Sequence, residues 1–150
     1  MLALTKKTGY GLIAISRLSK LDDGEVASAR EIAEQFGVPT ALLMNVMKEL
    51  AAAGYVESVR GAHGGYRLAC KLSEVSLAEL VTAMEGPIRL AECISGQTGE
   101  HDEEACRLMG QCPITDPVHR VQRKLSDFLK QVSLAELTQP TGAGVEAENG

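Results

Sequence analysis

The chain has 150 residues, of which 45% are hydrophobic, so it can form one domain with a core and an appendage. No apolar run approaches the ~20 residues of a membrane span. Residues 1–7 lack the order of charge, apolar stretch and cleavage site of a signal peptide, so we expect a cytoplasmic protein. The net charge of −5 is uneven: residues 1–72 carry nine basic and seven acidic side chains, and residues 73–150 carry six and thirteen. A phosphate-contacting surface is therefore expected in the first half.

The first predicted helix spans about residues 5–20. Apolar residues three and four positions apart form a stripe along one face, which is typical of a helix packed against a core. The stripe consists of Tyr10, Ile13, Ala14 and Leu18. Asp22, Asp23 and Gly24 then predict a turn.

The next two helices predict a helix-turn-helix. Ser28 and Glu31 have the spacing of a capping box, in which each side chain satisfies a free backbone N–H of the first turn. Gly37 suits the left-handed end of this second helix, and Pro39 suits the first position of a third helix that runs to about residue 53. A short helix, a tight glycine turn and a longer helix are typical of this motif. The predicted inward-facing residues are Ile32, Ala33, Phe36, Leu43, Val46, Met47 and Leu50.

A β-hairpin follows. Alternation and β-branching predict strands at about residues 55–59 and 66–69, separated by the glycine-rich loop 60–65. A hairpin after a helix-turn-helix is a wing, so residues 1–72 predict a winged helix-turn-helix DNA-binding domain. The whole chain is expected to be mainly α with a small β wing.

The second half of the chain predicts a long dimerisation helix. A fourth helix begins at the capping box of Ser76 and Glu79 and ends at Gly86, and a long helix capped by Asp116 runs to about residue 132. Its apolar residues step three and four positions, as in a coiled-coil seam. Five such positions exceed what a small domain would cover, so we favour a homodimer over packing within the chain, with a pseudopalindromic operator. The seam consists of Val118, Val121, Leu125, Phe128 and Val132.

The end of the chain contains a second copy of a short string. Residues 133–137 repeat the Ser-Leu-Ala-Glu-Leu of residues 76–80, which we interpret as a repeated cap rather than a duplication. Residues 73–138 are thus a unit with a cysteine loop and the dimerisation helix. The Pro/Gly/Ala/Glu-rich tail, 139–150, is predicted to be disordered.

Three cysteines, Cys93, Cys106 and Cys112, lie in a polar loop at about residues 91–113 that has no need of buried thiols. In a cytoplasmic protein, cysteines are ligands or redox groups more often than disulfides. Thiolates gathered on a loop are ligands for a soft metal centre. Other interpretations are inert thiols, a structural zinc site completed by His101 or His119, and a thiol redox sensor. Cys70 is interpreted instead as a small buried residue of the wing.

Several motifs together resemble a known family. They are Leu4-Thr5, Tyr10-Gly11, the wing string from Val59-Arg60-Gly61 to Gly64-Gly65-Tyr66-Arg67-Leu68, Glu85-Gly86-Pro87-Ile88, Glu92-Cys93, Cys112-Pro113 and Leu134-Ala135-Glu136-Leu137. The chain resembles, over about residues 2–138, the bacterial winged-helix repressors that include IscR, NsrR and RirA. It is most similar to the subgroup that regulates SUF iron–sulfur cluster assembly.

The resemblance implies an iron–sulfur cluster held by Cys93, Cys106 and Cys112. Three protein thiolates suit a [4Fe–4S] cluster, which we favour over a [2Fe–2S] cluster with a fourth ligand from His119 or a carboxylate. The fourth ligand is not carried over from the family. Gly9 replaces a carboxylate that some relatives have before the tyrosine, and Thr115 replaces a histidine that others have after the last cysteine. We favour His119 over His101, because His119 lies on the first turn of the long helix.

DNA contacts are predicted on the third helix and the wing. Asn45 is suited to adenine, and Lys48 to phosphate or guanine. Arg60 at the wing is suited to a narrow minor groove. An ordinary solvated helix face is the alternative for the third helix. The full predicted set is Thr40, Ala41, Met44, Asn45, Lys48, Arg60, Arg67, Lys6 and Lys7.

Two classes of function compete with a cluster-dependent repressor of iron–sulfur assembly or iron and redox stress genes. One is a DNA-binding regulator that uses zinc or a thiol switch and has no cluster. The other is an enzyme. The sequence argues against an enzyme, because it shows no nucleophile–base pair, nucleotide-binding glycine loop or paired carboxylates at a strand end. We therefore predict that the protein is not an enzyme.

Overall fold

The computed structural model of the protein describes residues 4–91 and 110–139. This part of the chain is mainly helical with one small antiparallel sheet, as predicted. Its elements, in chain order, are α1 (Lys6–Leu18), α2 (Ala29–Phe36), α3 (Thr40–Ala52), β1 (Val56–Val59), β2 (Gly65–Leu68), a 3₁₀ helix (Leu72–Glu74), α4 (Leu77–Glu85), α5 (Thr115–Gln131) and α6 (Leu134–Thr138). Among these described helices, none combines the length and apolarity that crossing a bilayer requires.

Helix α1 lies at the centre of the helical layer. Thr5 caps it by accepting a hydrogen bond from the backbone N–H of Thr8, and the helix contacts both α3 and α4. The predicted stripe is confirmed at Ala14 and Leu18, which are buried, whereas the fully buried Ile15 was not predicted. The buried side chains form one core with those of α2 and α3.

The helix-turn-helix forms as its local signals predict, with two corrections. The capping box of Ser28 and Glu31 is present, and Gly37 ends α2 in the left-handed region at φ 65°. Phe36 was predicted to face inward but is 45% exposed, because Val38 beyond the glycine turn occupies the core position instead. Pro39 was predicted to be the first helical residue, but its ψ of 121° places it before the helix as the N-cap.

The wing is anchored to the start of α2. Strands β1 and β2 pair in register, and Ala27 and Tyr66 exchange two backbone hydrogen bonds of 2.8 and 3.0 Å. This close approach requires Gly65, because a Cβ there would lie 2.7 Å from the carbonyl oxygen of Ala27. The hairpin therefore has a fixed position relative to the helix-turn-helix.

The repeated Ser-Leu-Ala-Glu-Leu strings pair with each other. Each serine caps its own helix in a capping box, α4 for Ser76 and α6 for Ser133. The two segments also exchange backbone hydrogen bonds: Leu77 donates to Val132 at 2.8 Å, and Leu134 donates to Val75 at 2.8 Å. Leu134 is fully buried in the core, so this pairing holds α6 against the core that the first three helices form.

Helix α5 begins differently from the prediction. Asp116 was expected to cap it, but the helix starts at Thr115 after Ile114, whose side chain makes no capping bond. Asp116 lies in the first turn, where a negative charge still favours the helix N-terminus. Of the tail predicted to be disordered, residues 140–150 lie outside the described residues.

Candidate nucleic-acid interface and cysteine segment

Helix α3 has one buried face and one exposed face. Leu43, Val46, Met47 and Leu50 are buried as predicted, and this leaves the opposite face to solvent. The predicted base-reading residues lie on that face: Ala41, Met44, Asn45 and Lys48 are exposed, and Thr40 is half-buried. An exposed helix face is the element that a major groove can admit.

The wing loop places Arg60 at the surface. Arg60 directly follows β1 and is exposed, and the loop is closed by a hydrogen bond of 3.1 Å from Gly64 N–H to the Gly61 carbonyl. Gly61 has a φ of 137°, and a Cβ at Gly64 would lie 2.4 Å from the Val59 carbonyl oxygen. Glycine at both positions is therefore required for this tight loop, which presents Arg60 beside the hairpin.

Two of the predicted phosphate contacts are already paired with carboxylates. Lys7 Nζ lies 3.1 Å from Glu49 Oε2, and Arg67 forms an ion pair with Glu57 on the neighbouring strand. Lys6, Lys48 and Arg60 form no ion pair within the part of the chain that the structure describes. Neither carboxylate was predicted from the sequence to pair with a basic residue. The register of the hairpin, in which Glu57 faces Arg67 directly, was the available signal for one of them.

The predicted dimerisation stripe of α5 is only partly covered by the rest of the described chain. Val121 and Phe128 are 54% and 61% exposed, and Val118 and Leu125 are half-buried. Val132 was predicted on the same helix, but the helix ends at Gln131 and Val132 is its extended C-cap, also half-buried. Large apolar side chains at this exposure, on successive turns of one helix, are typical of a surface that packs against a partner. Their role in dimerisation stays a prediction.

Gln122 was not singled out by sequence and is the one buried side chain described in α5. Its amide nitrogen donates to the Ile88 carbonyl at 2.6 Å and to Ser126 Oγ at 3.2 Å, and its oxygen accepts from the Leu90 N–H at 2.9 Å. Gln122 therefore holds the segment that leads to Cys93 against α5. Cys112 comes three residues before the start of the same helix.

Only part of the predicted metal site falls within the described residues. Cys93, Cys106 and His101 lie outside them, whereas Cys112 is a half-buried free thiol and His119 is half-buried on α5. Within residues 4–91 and 110–139, no three His, Cys, Asp or Glu side chains gather to hold a metal ion. The three predicted thiolates fit an iron–sulfur cluster by donor chemistry.

Cys70 was predicted to be a buried residue of the wing, but it lies two residues beyond β2 and is only partly buried. Its Sγ lies 3.6 Å from the Tyr55 carbonyl oxygen, and its thiol is half-buried. Burial raises the pKa of the Cys70 thiol and so favours the protonated form, which is a poor metal ligand.

A second contact missed by sequence joins α1 to α4. The hydroxyl of the fully buried Thr8 donates to Glu85 Oε1 at 2.5 Å, and the Thr5 hydroxyl donates to the same oxygen. Hydrogen bonds from Thr5 and then Thr8 hold the pKa of Glu85 below its ordinary value. This carboxylate connects the start of α1 to the last residue of α4.

The comparisons with known proteins agree with this geometry. The family model described as Rrf2, iron-dependent transcriptional regulator, matches residues 4–140. CymR (YrzC), the global cysteine regulator of B. subtilis, is 25% identical with a TM-score of 0.69, covering 94% of this chain and 99% of its own. A transcriptional regulator from Listeria innocua is 27% identical with a TM-score of 0.74, covering 99% of this chain and 93% of its own. T. potens IscR is 25% identical with a TM-score of 0.64, covering 91% of this chain and 85% of its own.

These matches confirm the predicted winged-helix fold and the resemblance to IscR-type regulators. They also confirm that the chain is a regulator rather than an enzyme, because the family consists of transcriptional regulators. The family match spans nearly all of the chain and includes the helix-turn-helix, the wing and α5. The chain belongs to the Rrf2 family of transcriptional regulators.

Proposed function

We propose that this regulator is a homodimeric, cytoplasmic, DNA-binding repressor whose DNA binding depends on an iron–sulfur cluster. Its target genes are those of iron–sulfur cluster assembly or of the response to iron and redox stress. The observation that carries the proposal is the joint exposure of the α3 face and of Arg60 in a family described as iron-dependent.

Each exposed element has a distinct role in binding DNA. Helix α3 enters the major groove, where Asn45 pairs with adenine and Lys48 with guanine or a phosphate. Arg60 enters the adjacent minor groove, whose negative potential favours an arginine. Lys6, Lys7 and Arg67 contact phosphates, which orient the domain without reading sequence. Thr40, Ala41 and Met44 complete the surface against the bases.

The dimer forms through α5. The exposed side chains of Val121 and Phe128 supply apolar area that the described part of the chain does not cover. Packing this stripe against that of a second copy removes the area from water. Two copies related by a twofold axis present two α3 helices, so the operator is pseudopalindromic.

The cluster is held by Cys93, Cys106 and Cys112, and we favour a [4Fe–4S] cluster with His119 near the fourth position. When bound, the cluster supplies an iron centre that small oxidants or loss of iron can alter. The support from the chain is the donor set itself, together with the position of Cys112 at the base of α5 and the Gln122 contacts before Cys93. The thiols would bind as thiolates, which are the soft ligands that iron prefers.

A second candidate function is supported by one comparison. CymR, at 25% identity, is named a global cysteine regulator, and this favours a regulator that uses its thiols without a cluster. A structural zinc site on the same cysteines belongs to this alternative.

Anaerobic purification tests the two candidates. We expect brown protein that contains about stoichiometric iron and sulfide. We also expect that a duplex enriched from a randomised library binds the cluster-containing protein in a gel shift. Removal of the cluster by a chelator should change the affinity for that duplex. Colourless protein that contains zinc, or metal-free protein whose DNA affinity changes on oxidation, would contradict the cluster and support the second candidate.

A further inference from the structure

Two carboxylates lie on the surface that would face DNA. Glu49 is exposed on α3, one residue after Lys48, and Glu57 is exposed on β1, three residues before Arg60. Each forms an ion pair with a predicted phosphate contact, Lys7 and Arg67 respectively. The pairs join separate elements: α1 with α3 in one case, and the two strands of the wing in the other.

These pairs reduce the positive charge available to DNA. The side chains of all four residues are between 39% and 48% exposed, so water screens each pair and its net contribution to stability is small. Residues 1–72 have only nine basic side chains against seven acidic ones, and two of the seven are Glu49 and Glu57. Binding that depends only on phosphate neutralisation is therefore weak in this chain.

We infer that Glu49 and Glu57 mask Lys7 and Arg67 and thereby weaken the phosphate-dependent part of DNA binding, which is all of the binding to DNA of unrelated sequence. The inference rests on the proposed DNA-binding function. On random DNA, affinity comes from phosphates alone, so the loss of two free cations removes a large share of it. On the operator, the α3 and Arg60 contacts supply additional free energy that the carboxylates do not affect.

The test uses the full-length protein with Glu49→Gln, Glu57→Gln and the double variant. Glutamine keeps the size of the side chain and removes the charge that pairs with the cation. Glu74→Gln is the matched control, because Glu74 pairs with Lys71 at 3.6 Å on the 3₁₀ helix, outside α3 and the wing. The control makes the same change in net charge as each single variant, so it accounts for the long-range effect of charge on DNA affinity.

The measurement is the salt dependence of binding to two duplexes, one of scrambled sequence and one enriched by the wild-type protein from a randomised library. Each added phosphate contact steepens the slope of log K against log salt by about 0.9. For the double variant, the loss of affinity for scrambled DNA between about 50 and about 200 mM salt should be roughly tenfold greater than for wild type. The affinities for both duplexes should rise, because the unmasked cations contact phosphates on either one.

Two results would overturn the inference. If neither single variant has a steeper slope than Glu74→Gln, Glu49 and Glu57 do not mask phosphate contacts, while the proposed function stands. If the wild-type protein binds neither duplex in any state of its cysteines, the proposed DNA-binding function itself fails and the inference fails with it.

Discussion

The side-chain amide of Gln122 donates a hydrogen bond to the carbonyl oxygen of Ile88 at 2.6 Å, across 34 positions of sequence. With the 2.9 Å bond from the Leu90 N–H, Gln122 satisfies two backbone groups of a segment that belongs to no helix or strand. A buried amide side chain can replace a β-ladder in this way, because its NH2 group donates and its oxygen accepts. The contact joins the segment before Cys93 to the helix after Cys112.

Replacing Gln122 with leucine should destabilise the protein. The change leaves the Ile88 carbonyl and the Leu90 N–H without this partner, at a cost of about 1–3 kcal/mol for each group that stays buried. Chemical denaturation of the variant would show the loss, and Gln131→Leu, an exposed position of the same helix, is the control. Equal stability of Gln122→Leu and wild type would mean that water replaces the lost bonds.

Arg60→Ala should weaken operator binding while leaving the fold and the cofactor intact. Arg60 is exposed and its truncation removes no core contact, so stability should change little. The lost groove contact should cost roughly 1–3 kcal/mol of binding free energy. A gel-shift titration at fixed salt measures the effect, and unchanged operator affinity would reject the wing contact.

Phe128→Asp and Leu125→Asp should both break the proposed dimer. Each places an unpaired charge on the apolar stripe of α5, where burial against a partner is strongly unfavourable. Phe128 is 61% exposed, so its substitution perturbs the folded monomer less than a change at the half-buried Leu125. Sedimentation measures the oligomeric state, with Gln131→Asp as the control. A Phe128→Asp variant that still sediments as a dimer would place the interface elsewhere.

The cluster should require Cys93, Cys106 and Cys112, but not Cys70. Alanine offers no ligand in place of a thiolate, and Cys70 belongs to the wing, where its thiol stays protonated. Anaerobic reconstitution of the four Cys→Ala variants, followed by iron and absorbance measurements, tests this pattern. His101→Ala and His119→Ala extend the series to the fourth ligand. A complete cluster in Cys106→Ala would contradict the three-cysteine site.

Glu85 should contribute to the pH dependence of stability. Hydrogen bonds from Thr5 and Thr8 lower the pKa of Glu85 in the folded protein. The resulting stabilisation of the folded state is therefore present above the pKa of the unfolded chain, about 4.3, and is lost as the pH falls through the folded pKa. Thermal unfolding between about pH 7 and pH 3 should therefore show a smaller decline for Glu85→Gln than for wild type. Parallel declines for the two proteins would show that the contact with Thr8 has no energetic effect.

Local sequence signals were sufficient to predict most of the elements and the family. Capping boxes, the left-handed Gly37 and the apolar spacing of α3 act over a few residues, so they could be recognised without tertiary contacts. The wing string and the cysteines together led to the IscR-type resemblance. The predicted burial of Phe36 was wrong, because only the packing shows that Val38 fills the core in its place.

The tertiary structure alone decided which charges and polar groups meet. Lys7 and Glu49 are 42 positions apart, and Thr8 and Glu85 are 77 apart, so no local pattern pairs them. Gln122 is a further example, because nothing in the local sequence indicates that this polar side chain is buried. Such contacts depend on how α1, α3, α4 and α5 pack, because side chains several elements apart reach hydrogen-bonding distance only after the core has set the helix positions.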